Sequence, residues 1–179
     1  MKTDHIIDTC CLINILASGR EGEILAAAHG FYLGERASKE SLYLNKYDED
    51  TSQRIGKTPV DLKSLFADES LVLCRLETEE EFEHYLYFAK RLDDGEAEAL
   101  ALGLSRGWTV ATDDKKAVRI ATEHDIKTVS TLQILLHWAK KNRIGKKDFR
   151  NVMTQIQRLA SFVPSPNSPG YDEWQRSGM

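Results

Sequence analysis

"HIIDTCCLINIL", residues 5–16, is the stretch on which the fold turns. Two isoleucines prepare a buried strand, and the chain then places a carboxylate, Asp8, where it turns toward a helix. A charge at the lip of a core has two physical readings. It can cap the helix, or it can belong to a metal site. What separates them is whether other carboxylates arrive at the same place.

The chain has 179 residues, enough for one compact domain with a proper core. Its composition, 41% hydrophobic and 29% charged, is that of an ordinary globular protein. No apolar run reaches the ~18 residues that a membrane span needs. Asp4 and Asp8 spoil a signal-peptide reading of the N-terminus, so a cytoplasmic protein with no membrane partner is expected. Cys10, Cys11 and Cys74 make an odd count without CxxC spacing, which argues against a disulfide framework and against a zinc site. The net charge of −4 is unevenly spread. Residues 1–108 carry 12 Lys/Arg against 21 Asp/Glu, whereas residues 109–163 carry 11 against 5. A basic C-terminal third can track a phosphate backbone while an acidic cluster elsewhere holds cations; it can equally be a solvated face.

Outward from residues 5–16, strand-like and helical segments alternate. "FYL" (31–33), "LVLCRL" (71–76), "WTVAT" (108–112) and "KTVS" (127–130) read as further strands. Helices are predicted over "EGEILAAAHG", "ERASKESLYLNKY", "TEEEFEHYLYFAKRL", "DGEAEALALGLSRG", "DKKAVRIATEHD", "TLQILLHWAKKNRI" and "KKDFRNVMTQIQRLASF". Thr78 to Glu81 has the pattern of a capping box. The polar stretch 46–69 reads as an exposed loop with a helical turn at "PVDLKSLF". Such alternation predicts an α/β/α sandwich around a mainly parallel sheet of four or five strands, with extra C-terminal helices. Residues 1–163 are expected to form one domain, and the Pro-rich residues 164–179 an irregular tail that Tyr171 and Trp174 could pin to the surface.

In a parallel sheet every strand-to-helix junction falls on one edge, and ligands bind outside that carboxyl edge. Asp8 ends the first strand, and Asp113 and Asp114 close the strand at "TVAT". Glu96 heads a helix that feeds directly into that strand, and shares a helical face with Leu100, Gly103 and Leu104, the side expected to be buried. Glu98 lines up with Ala101, Leu102 and Ser105, nearer the rim. Glu40 lies on the face of Ala37 and Leu44. Each acid has a structural alternative: Asp8 and Asp114 as N-caps, Asp93 with Glu96 as a capping box, Glu40 paired with Arg36. Together they weigh differently. One carboxylate pair at about 4 Å costs about 4 kcal/mol at an effective dielectric near 20. Several would consume much of a domain's stability of about 5–15 kcal/mol. Convergent acids without His or Cys therefore imply a hard divalent cation, Mg²⁺ or Mn²⁺.

"IIDTCCLINIL", "LGERASKESL", "DDGEAEALALGLSRG" and "TVATDDKKAVRIA", in that order over about residues 5–130, resemble the PIN-domain nucleases. The likeness is to the small toxin ribonucleases of prokaryotic toxin–antitoxin pairs. Carried onto this chain, the family's first acid falls on Asp8 and its second on Glu40. Its third, commonly Asp, falls on Glu96 in a "GE" variant, and its fourth on Asp114, with Asp113 beside it as an alternative. Thr112 matches the small hydroxyl residue often found near these acids, and Cys10 stands two residues after Asp8.

The resemblance implies a metal-dependent endoribonuclease that hydrolyses phosphodiester bonds, with Asp8, Glu96 and Asp114 as ligands of one or two Mg²⁺ or Mn²⁺ ions. It further implies RNA as substrate, a small antitoxin protein as partner, and a homodimer. Lys115, Lys116 and Arg119, close after Asp114, could take flanking phosphates or form an exposed basic face. Lys140, Lys141, Arg143, Lys146 and Lys147 are expected to face solvent or a partner. Two rivals stand beside this reading. A PIN-like fold can be kept as a catalytically silent binding module. A haloacid-dehalogenase-like phosphohydrolase also starts with a strand-end Asp, but needs a second Asp where this chain has Cys10.

Overall fold

Strand β1 (His5–Ile7) turns Ile6 and Ile7 to opposite sides, and each is buried in a different apolar cluster. Val110 and Ala111 of β6 (Thr109–Ala111) divide in the same way. Tyr32 and Leu33 of β2 (Phe31–Gly34) do so as well. Strands apolar on both faces need cover on both faces, which is why the chain supplies helices between them. In this computed structural model, which describes residues 3–28 and 30–176, five strands form one sheet in the order β5-β2-β1-β6-β7. Strands β5 (Val72–Cys74) and β7 (Thr128–Val129) are its edges, and every pairing is parallel.

Helices α1 (Thr9–Ala17), α2 (Glu21–Ala27), α8 (Thr131–Lys141) and α9 (Lys146–Ala160) supply the cluster that holds Ile7, Leu33 and Ala111, with Trp138 at its centre, fully buried. Helices α5 (Glu79–Phe88), α6 (Asp94–Arg106) and α7 (Lys115–Glu123) supply the other, around Ile6, Phe88, Leu100 and Val110. The result is the expected α/β/α sandwich, with five strands rather than four.

This strand order sets where a ligand can bind. After β1 the chain leaves through α1 toward β2, and after β6 through α7 toward β7, on the other side. Since β1 and β6 are neighbours, a crevice opens outside their carboxyl ends, where the order reverses. The crossover from β5 at the edge to β6 passes β2 and β1, and α5 and α6 lie against each other on the way. Gly107, at φ +65°, then turns α6 directly into β6, a left-handed position that costs other residues more. The head of α6 is thereby held at the carboxyl edge.

Three expectations are corrected. The helix read over "ERASKESLYLNKY" stops after one turn, α3 (Glu35–Ser38). Residues Tyr43–Tyr47 instead form β3, antiparallel to β4 (Arg54–Pro59). Tyrosine favours the pleated surface, and Asp48 closes the turn by accepting from the backbone N–H and the hydroxyl of Thr51, both at 2.8 Å. The polar stretch 46–69 is therefore largely a hairpin arm followed by α4 (Lys63–Ala67), not an open loop. Within the C-terminal tail, Tyr171–Arg176 coil into α10, and Trp174, 8% exposed, packs into the first cluster.

Candidate active site

Asp8 is 4% exposed at the end of β1. Its Oδ2 accepts from the Cys10 thiol at 2.8 Å and from the Thr112 hydroxyl at 3.0 Å. It occupies the N-cap position of α1 yet makes no side-chain capping bond, so capping does not account for the charge. Burial pushes its carboxyl above the usual range, against the pull of the Cys10 and Thr112 hydrogen bonds. Thr112 also accepts from the backbone N–H of Asp114 at 3.1 Å, tying the ends of β1 and β6 together.

Glu96 reaches the same crevice from the head of α6. Burial pushes its carboxyl up to about 7, and the charges of Asp93, Asp114 and Asp8 add to the shift. Asp93 caps α6 by accepting from the Glu96 N–H at 2.9 Å. Sequence reasoning saw that capping role but not that Asp93 also joins the acid group. Glu98, expected nearer the rim, is instead fully buried, because it meets Arg36 of α3.

Glu40 lies beyond α3 rather than inside a helix, and it reaches Thr9 at the rim without itself lining the crevice. Thr9 donates to its Oε2 at 3.0 Å and lies 3.4 Å from Asp8 Oδ1, bridging the two acids. Gly95 makes room: a Cβ there would stand 2.5 Å from Glu40 Oε1. Burial raises the Glu40 carboxyl, with Asp93 and Asp8 contributing and Thr9 opposing.

The two acids after β6 differ. Asp114 caps α7, with Oδ1 accepting from the N–H groups of Lys116 and Ala117 at 2.7 and 2.8 Å, which leaves its other oxygen for a ligand. Asp113 is taken up by the protein. Its Oδ2 accepts from Cys11, Asn14 and the Thr131 hydroxyl, and its Oδ1 from the Thr131 N–H, a clamp between α1 and α8. Nothing in the sequence marked Asn14 or Thr131 as partners. Lys115, Lys116 and Arg119 are exposed on α7 and do not line the crevice.

The crevice holds about 500 Å³. Asp8, Asp93, Glu96, Asp113 and Asp114 line it, no Lys, Arg or His among the described residues does, and residues 160–162 close one side. Several carboxylates lining one crevice, two of them, Asp8 and Glu96, raised chiefly by burial, with no cationic side chain among the described lining residues, suit a hard divalent cation. The acids span the crevice rather than touch. Among the described residues, the one trio of His, Cys, Asp or Glu with ligand atoms within 4.8 Å of each other is Cys10, Cys11 and Asp113. That trio could hold a softer ion, but Asp113 is already satisfied and burial pushes the Cys11 thiol well above its usual range. A wider oxygen set of this kind is compatible with a divalent cation that keeps several waters and takes one or two carboxylates directly.

Comparison with known families agrees. A family model described as a PIN domain, DUF3368, matches residues 5–167. No curated protein and no solved structure is a significant match. PIN domains are in general nucleases and typically use divalent metals. Matched from β1 through α9, the chain belongs to the PIN-domain family.

Proposed function

We propose that the protein is a metal-dependent endoribonuclease acting in the cytoplasm as the toxin of a toxin–antitoxin pair. The observation that carries this reading is the group of carboxylates gathered at the reversal point of the sheet, with Asp8 and Glu96 raised chiefly by burial and no Lys, Arg or His among the described residues that line the crevice. Asp8, Glu96 and the free oxygen of Asp114 would hold Mg²⁺ or Mn²⁺, directly or through water. Such a cation lowers the pKa of an attacking water and stabilises the charge that builds on the phosphate. Glu40, held beside Asp8 through Thr9, would orient that water. Asp113 serves the site by fixing α1 against α8. Phosphate is repelled by the uncompensated acids, so substrate binding depends on the cation.

RNA as the substrate is supported by the family and by the basic excess of residues 109–163. Lys115 and Lys116 stand exposed beside Asp114 and would take flanking phosphates; Arg119 lies 3.8 Å from Glu123, which tempers its charge. A small antitoxin protein and self-association into a homodimer complete the proposal.

The test is incubation of single-stranded and structured RNA with wild type and Asp8→Asn, in Mg²⁺, in Mn²⁺ and with chelator. Cleavage that needs the cation and is lost in Asp8→Asn is the expected result. Cleavage that persists in chelator overturns the metal site. Absence of cleavage by wild type, together with absence of Mn²⁺ binding, leaves a binding module.

A further inference from the structure

A groove of about 470 Å³ runs between the β3–β4 hairpin and α9, lined by Tyr47, Asn151, Thr154, Gln155, Arg158 and Leu159. It adjoins the acid-lined crevice: Leu159 is in its wall, and the next three residues, Ala160 to Phe162, close the crevice. The hairpin is docked there by its own polar groups. Tyr47 donates to the Arg158 carbonyl at 2.9 Å, and Asn45 donates to the same carbonyl at 3.3 Å and to the Ser161 hydroxyl at 3.0 Å. The Arg158 guanidinium lies over the Tyr47 ring, 4.6 Å from its centroid.

The chemistry of this groove is the reverse of its neighbour's. No carboxylate lines it, and one of its six lining residues is aliphatic, so it is a poor seat for a protein helix. It offers a guanidinium plane backed by an aromatic ring, two amides and a hydroxyl. The cross-strand register adds charge: Lys57 stands opposite Asn45 and Arg54 opposite Tyr47. Opposed residues share a face in regular pairing, so the exposed Lys57 flanks the groove side of the hairpin, while Arg54 follows the register shift after Lys46. A stacking plane, amide donors and acceptors, and a flanking cation are what an unpaired nucleotide needs.

We propose that this groove binds the nucleotides next to the scissile phosphate of single-stranded RNA. One base stacks on the Arg158–Tyr47 platform, Asn151 and Gln155 hydrogen-bond base edges, and Lys57 takes a phosphate. The proposal rests on the nuclease reading for its substrate and goes beyond it in naming the subsite.

The test compares, in Mn²⁺, a short single-stranded RNA with the small diester bis(p-nitrophenyl) phosphate, which is too short to reach the groove. For Tyr47→Ala and Arg158→Ala, the ratio of the RNA KM to the diester KM should rise about tenfold, the loss of one stacked base. Gln155→Ala should raise it severalfold, and Tyr47→Phe, which keeps the ring, should leave the ratio near that of wild type. RNA affinity measured by fluorescence anisotropy in the Asp8→Asn background should fall in step. Thermal melts confirm that each variant is folded. An unchanged ratio in Tyr47→Ala and Arg158→Ala overturns the groove and leaves the nuclease intact. Equal competition by duplex RNA also overturns it. A wild type that cleaves nothing but loses RNA affinity with these substitutions overturns the nuclease reading and keeps the groove.

Discussion

Glu96 and Glu98 stand two residues apart on α6 and live under opposite rules. Glu98, fully buried, accepts from the Arg36 backbone N–H at 2.7 Å and from its guanidinium at 2.9 Å. Arg36 in turn stacks over Tyr85, 4.0 Å from the ring centroid. Burial raises the Glu98 carboxyl while Arg36 pulls against it; Glu81, 4% exposed, is likewise paired, with Arg106 donating at 2.6 Å and holding its carboxyl below the usual range. Glu96 is less buried than either, yet it has no cation and its carboxyl is pushed up to about 7. Depth of burial therefore does not separate the proposed site acids from the structural ones. The missing partner does, and an acid raised by burial and by like charges, with no cation beside it among the described residues, is the mark of a candidate site.

The sharpest way to break that contrast is to neutralise one acid of each kind. Asp8→Asn should lower RNA cleavage by about a thousandfold or more, about 4 kcal/mol of lost transition-state stabilisation. Folding stability should stay level or rise, because a desolvated charge is removed and Cys10 and Thr112 keep an oxygen to donate to. Glu98→Gln should do the reverse. It leaves Arg36 without its carboxylate and should cost about 2 kcal/mol in urea unfolding, less than a fully buried pair because Arg36 is 29% exposed. Mn²⁺ affinity should be retained. A large stability loss in Asp8→Asn would place Asp8 with the structural acids.

Titration offers a second probe of the same division. The folded-state value of Glu96, about 7, lies above its ordinary 4.5, and Asp8 and Glu40 shift in the same direction. The folded protein thus holds these protons more tightly than the unfolded chain does. For Glu96 the resulting contribution to metal-free stability is greatest below the unfolded value, declines between about pH 4.5 and 7, and is flat above; Asp8 and Glu40 add to it in the same direction. The melting temperature of the metal-free protein should fall by a few degrees over that window. A cation must displace the same protons, so Mn²⁺ should bind more tightly as pH rises toward 7. At a hundredfold excess over its Kd it should raise the melting point by about 5–10 °C. Equal Mn²⁺ stabilisation at about pH 5 and pH 8 would show that the raised acids are not the ligands.

How much of this division is written in the sequence can be judged from the same residues. The alternation of apolar runs with helical periodicity carried the parallel sheet, and the sheet brought Asp8 and Asp114 to one edge without any tertiary information. The head of α6 was legible because Gly107 passes the chain straight into β6. Glu98 was misplaced because α6 is buried nearly all round, from Gly95 through Gly103 with Glu96 the exception, so helical spacing defines no rim. Its fate depends on Arg36, which another element supplies. The hairpin was missed because "SLYLNKY" satisfies a period of two as well as one of 3.6 over so short a run. The route by which Glu40 reaches Thr9 was hidden for the same reason, since it depends on α3 ending early.

The smallest effect concerns what aligns the unpaired acids with one another. Thr112 donates to Asp8 and accepts from the Asp114 N–H, so one hydroxyl sets both the rotamer of the first acid and the entry of the chain into α7. Thr112→Val keeps the volume and removes both bonds. Leaving the buried Asp8 oxygen one donor short should cost about 1 kcal/mol of stability. It should also weaken Mn²⁺ by about tenfold, the usual penalty for losing a group that orients a ligand. Thr112→Ser, which restores the hydroxyl, should recover the affinity. If the valine variant binds Mn²⁺ as wild type does, Asp8 is aligned by Cys10 alone, and Cys10→Ala becomes the substitution that lowers affinity.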